Sequence, residues 1–133
     1  MTRTAAGILC LAMGILPLTL KAEQSRDFGD YTVHYSAFTT DILSPEVAGS
    51  YGIRRSSNRI LLNISVLKKV MGTSAQPVRA AVKATATNLS SQLREVEMRE
   101  LNEHGAIYYI GELKVEHGET LTFDLAITPH DAD

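Results

Sequence analysis

The chain has 133 residues, of which 44% are hydrophobic and 21% charged, with one cysteine and a formal net charge of -2. Those figures describe one globular domain, too short for two and too apolar for disorder. A lone thiol cannot bridge within the chain, and a slightly acidic balance argues against a dedicated nucleic-acid binder.

Residues 1–22 are the first predicted element. Arg3 gives a positive start, Ala5 to Leu20 is apolar apart from Gly7, Gly14, Pro17 and Thr19, and Lys21-Ala22 leads into the polar run Glu23–Asp27. This order predicts a secretory signal peptide cleaved after Ala22, although Leu20 departs from the small residue usual near the cut. The apolar run is shorter than the ~18 residues of a typical membrane span, and no later segment is apolar enough to replace it. Leu9 stands before Cys10, where a lipoprotein signal carries a small residue, so lipidation is not expected. Cleavage would leave residues 23–133 as a single domain with no cysteine and a net charge of -4. That suits an oxidising compartment, and periplasmic localisation is the expectation.

Beyond residue 28 the hydrophobic period is two. Tyr31, Val33, Tyr35 and Ala37 form one apolar row, and Ile60, Leu62, Ile64 and Val66 a second. Val78, Ala80, Val82, Ala84 and Ala86 form a third, and Ile107, Tyr109, Leu113 and Val115 a fourth. Leu121, Phe123, Leu125 and Ile127 complete the set. Each row alternates with polar residues, the pattern of two antiparallel sheets sharing one core. On that phase Tyr109 is a core residue and Tyr108 an exposed one. Between the first two strands, Ser44–Gly52 predicts a helix of about two turns: Ser44 caps it, Pro45 starts it, Glu46 suits its positive end and Gly52 stops it.

Ser91–Asn102 is ambiguous. Its residues favour helix by propensity, whereas Val96 and Met98 alternate with charges. A strand is preferred, since Asn102–Gly105 can form a hairpin to Ala106–Val115, which otherwise lacks a partner. Gly105 and Gly118 are both expected in hairpin loops flanking that strand.

Several stretches together resemble a known family: Tyr31–Tyr35, Leu43–Ala48, Tyr51–Ser56, Arg59–Val66, Ala84–Leu89, Arg99-Glu100, Ala106–Ile110 and Leu121–Leu125. They are similar to the family called domain of unknown function 4426, small exported proteins of Gram-negative bacteria. The resemblance implies a periplasmic, all-β, immunoglobulin-like sandwich. It brings no catalytic or binding residue with it.

No motif for chemistry stands out. His34, His104, His117 and His130 are dispersed, and His104 and His117 flank a strand spanning ~33 Å, too far to share an ion. Ala48-Gly49-Ser50-Tyr51-Gly52 looks like a nucleophile elbow, but that motif needs a strand before the serine and a helix after it. No metal or cofactor is expected. The reading is a non-catalytic binding or accessory module; an enzyme or metal carrier with a site assembled from dispersed residues is the alternative. Arg54, Arg55 and Arg59 bracket Ser56-Ser57-Asn58 and form the one dense positive cluster. With Tyr51 they are the candidate contact surface for an envelope protein or anionic ligand, because guanidiniums suit carboxylates and phosphates. Replacing all three arginines by alanine is expected to weaken binding and leave thermal stability nearly unchanged.

Overall fold

A computed structural model describes residues 7–12 and 24–131. The strands are β1 (Gly7–Ala12), β2 (Gln24–Phe28), β3 (Tyr31–Thr39), β4 (Arg59–Lys68), β5 (Gln76–Pro77), β6 (Ala80–Asn88), β7 (Leu93–Val96), β8 (Arg99–Glu103), β9 (Ala106–Lys114) and β10 (Thr120–Pro129). One α-helix, α1 (Pro45–Ser50), follows a 3-10 turn at Thr40–Ile42. One sheet has the order β1-β10-β6-β7 and the other β2-β3-β4-β9-β8, with β5 beside β4. The fold is an antiparallel immunoglobulin-like β-sandwich carrying one short helix. β1 lies inside the expected leader, most of which falls outside the described residues.

The alternating rows meet between the sheets. Val33, Ile60, Leu62, Ile64, Val66, Tyr109 and Leu113 face Ala84, Ala86, Leu121, Phe123, Leu125 and Ile127 in one buried cluster. Alanines on β6 leave room for Phe123, which is wholly buried. Tyr109 is 5% exposed and Tyr108 36%, as the phase of β9 requires.

Within Ser91–Asn102 the chain is strand from Leu93 onward, as expected, but as two strands rather than one. β7 pairs with β6, Ala84 opposite Val96, while β8 pairs with β9, Arg99 opposite Ile110. The chain changes sheet at Glu97-Met98, directly against Gly111 of β9. A Cβ on Gly111 would lie 2.5 Å from Met98 Sδ, 2.7 Å from Val96 Cγ1 and 2.9 Å from the Glu97 carbonyl oxygen. Only a residue without a side chain lets the crossing strand approach this closely.

The loop at Gly105 is a two-residue hairpin, with His104 at φ 50° and Gly105 at φ 89°. Two positive φ values make the tight turn whose twist matches the strands it joins. Gly118 also has positive φ, but its loop is not a hairpin. β9 and β10 belong to different sheets, so this loop crosses the sandwich.

A polar clamp joins the sheets at Tyr109. Its hydroxyl accepts from the buried Ala80 N–H at 2.9 Å and donates to Glu100 Oε1 at 3.1 Å. Glu100 also accepts from Asn102 Nδ2 at 2.9 Å and faces Arg79 Nε at 3.5 Å. These partners, Asn102 foremost, hold its carboxyl below the ordinary value of 4.5. Burial pushes the Tyr109 phenol above its ordinary value and Glu100 adds to that, against the Ala80 amide. A depressed carboxyl stabilises the fold above its unfolded pKa and loses that contribution as pH falls through the folded value. Stability is therefore expected to fall below about pH 4.5, with a shallower acid limb in Glu100→Gln, as read by thermal melts across pH.

Candidate functional site

α1 packs on the outer face of the β3-β4-β9-β8 region. Ser44 Oγ accepts from the Val47 N–H at 3.2 Å, and Pro45 opens the helix. Ala48 and Ile53 are buried with Leu61 and Ile110, beside Phe38, Leu43, Tyr51 and Leu101. β4 and β9 therefore carry apolar residues on both faces here. The consecutive runs Ile60-Leu61-Leu62 and Tyr109-Ile110 are the sequence signal of that second core.

Thr40 is completely buried beneath the next loop. Its hydroxyl donates to the Arg54 carbonyl at 2.7 Å, lies 3.2 Å from the Ser56 carbonyl, and accepts from the Ser56 N–H at 2.8 Å. This fixes the backbone from Arg54 to Ser56. The three arginines then diverge. The Arg54 side chain is exposed and makes no hydrogen bond or ion pair among the described residues. Arg55 turns back, donating from Nε to the Leu43 carbonyl at 2.7 Å and from Nη2 to the Asp41 carbonyl at 3.0 Å. Arg59 pairs with Glu112 Oε1 through Nε at 3.2 Å and Nη2 at 3.1 Å, both side chains half-buried.

A groove of about 410 Å³ runs beside that pair, lined by Arg59, Glu97, Met98, Arg99, Ile110, Gly111 and Glu112. Arg99 connects it to Tyr51. Its Nη2 donates to the Tyr51 carbonyl, and the Tyr51 hydroxyl donates to Glu103 Oε1. Glu103, through that bond, raises the Tyr51 phenol above its ordinary value, and burial adds to the shift. The phenol is thus a donor at neutral pH. Arg99 makes no ion pair among the described residues, so its guanidinium is oriented by a carbonyl rather than by a carboxylate.

The structure thus links Tyr51 and Arg59 through Arg99, leaves the Arg54 side chain without a partner among the described residues and employs Arg55 in holding that loop. Arg99 was not visible as a site residue in sequence, because Arg94–Glu103 sets two arginines among four glutamates and reads as a solvated, mostly acidic stretch. Stability neutrality on removal is now expected for Arg54 alone, since Arg55 and Arg59 bond to the fold. Arg59→Ala should cost about 1.5 kcal/mol and Arg55→Ala about 1 kcal/mol, with Arg54→Ala within about 0.5 kcal/mol. Thermal melts of the three variants read these differences. Among the described residues, no three His, Cys, Asp or Glu side chains converge on a metal position.

The sequence profile of the family described as domain of unknown function DUF4426 matches residues 25–133. A DUF4426 family protein from Pseudomonas aeruginosa PAO1, known by its crystal structure, is similar at 32% identity with a TM-score of 0.72, over 86% of this chain and 88% of that one. None of the curated proteins compared matches.

Proposed function

Since the chain belongs to the DUF4426 family, a domain of unknown function, we propose, from its own surface, that it is an exported, non-catalytic binding module of the periplasm. Its contact surface is the outer face beside α1, formed by Arg54, Tyr51, Arg59 and Arg99. The partner is an envelope protein that presents carboxylates to it.

The observation that carries this reading is Arg99: a guanidinium at a groove wall, held in place by the Tyr51 carbonyl and lacking a carboxylate partner among the described residues. Arginine donors fixed in this way are preorganised for a bidentate acid. Arg54 adds an exposed charge that can steer an acidic partner. Tyr51 and Arg59 frame the groove and are themselves fixed by Glu103 and Glu112.

Two measurements test it. N-terminal sequencing of the exported chain should begin at Glu23; a retained Met1 contradicts export with cleavage. Arg54→Ala and Arg99→Ala should each weaken partner binding about tenfold, and more at low salt than at high salt. Binding unchanged in both variants removes this face from the function.

A further inference from the structure

We propose that the free edge of β10 is a strand-addition site that takes an uncharged, apolar strand of a partner polypeptide in antiparallel register. The proposal rests on the leader reading, because removal of residues 1–22 is what opens this edge.

β1 shows how the edge is filled. It runs antiparallel to β10 with Gly7 opposite Leu125, Leu9 opposite Phe123, Leu11 opposite Leu121 and Ala12 opposite Thr120. The other edge of β10 is held by β6 from Leu121 to Pro129. Without β1, the outward N–H and C=O groups of Thr120–Leu125 have no strand beside them, and such groups template pairing with another chain.

The remaining edges of the two sheets are built to refuse a strand, and this one is not. β2 carries Arg26 and Asp27, β7 carries Arg94 and Glu95 in four residues, and β8 carries Arg99, Glu100 and Glu103 in five. Charges and short length are the usual protections of an exposed edge. Thr120–Leu125 has no lysine, proline or arginine, and its single charge is Asp124. Leu121, Phe123 and Leu125 alternate along it and are buried in the core between the sheets. A strand added here runs beside that apolar row, and in the register of β1 the positions opposite Phe123 and Leu121 are held by Leu9 and Leu11. The expected occupant therefore has leucine-like residues at alternate positions and no charge between them.

The segment from residue 23 onward contains both buried clusters of the described residues, whose members run from Phe28 to Ile127, and it spans the 25–133 stretch that the family profile matches. The probe is a lysine-tailed peptide with the sequence of residues 7–12 and Cys10→Ser. It is titrated against the 23–133 chain and against the full chain, with amide exchange followed by NMR. Saturable binding to the 23–133 chain is expected, with slowed exchange at Thr120–Leu125. Binding to the full chain should be at least about tenfold weaker, because a tethered strand competes at an effective concentration near ~1 mM. A peptide also carrying Leu9→Asp and Leu11→Asp should not bind. No binding to a folded 23–133 chain, or protection appearing instead at β2, β7 or β8, overturns the proposal. Self-association of the 23–133 chain through β10 that the peptide does not reverse also overturns it, assigning the edge to a second copy. These readouts use a defined chain, so they stand apart from N-terminal sequencing, which alone decides whether the leader is removed.

Discussion

Gly111→Val is expected to destabilise the fold by about 3 kcal/mol or more, lowering the melting temperature by ~10 °C. The added Cβ alone meets Val96 Cγ1 at 2.7 Å and the Glu97 carbonyl oxygen at 2.9 Å. Met98 can swing aside, but Val96 is 5% exposed in the core and the carbonyl is backbone. The crossing from β7 to β8 must therefore lift from β9. Gly111→Ala should show the same direction at about 1–3 kcal/mol. Since Met98, Arg99 and Gly111 line the groove, both variants should also weaken partner binding. A melting temperature unchanged in Gly111→Val would show that the crossing is not seated where the structure places it.

Thr40→Val is expected to cost about 2–4 kcal/mol despite keeping shape and volume. Valine removes the hydroxyl but leaves the Ser56 N–H and the Arg54 carbonyl in place, each having lost its partner at 2.8 and 2.7 Å. An unmet buried polar group costs about 1–3 kcal/mol, and here two part-buried groups lose their partner. Thr40→Ser keeps the hydroxyl and should retain most of the stability. Because this bond fixes the loop that presents Arg54, Thr40→Val should also raise amide exchange from Arg54 to Ser56. Denaturant unfolding with exchange measurements checks both effects.

The five long strands were legible because each has one face in the main core, so alternation marks it even where β4 and β9 also bury Leu61 and Ile110 under α1. α1 was legible through Ser44 and Pro45, whose roles at a helix start are local. β2 was missed for the opposite reason: Gln24–Phe28 is an exposed edge with almost no apolar face to betray it. Alternation also says nothing about which sheet a strand joins. That is why the break at Glu97-Met98 and the crossing at Gly118 were not foreseen. In the candidate surface, closeness in sequence suggested that Arg54, Arg55 and Arg59 act together. On an extended segment, side chains diverge and their nearest partners decide their roles, so Arg55 went to carbonyls and Arg59 to Glu112. Arg99 is distant from the cluster in sequence, and only the pairing of β8 with β9 brings it to the groove that Arg59 lines.

The central claim is that an acidic partner binds beside α1, and site-specific photo-crosslinking in living cells tests it most directly. A photoreactive residue replaces Arg54 in one strain and Lys83, exposed on the outer face of β6, in another. The account predicts one discrete adduct from position 54, lost when Arg99→Ala is added, and none of that size from position 83. The same adduct from position 83 and not from 54, or an adduct from 54 that persists in Arg99→Ala, would contradict it.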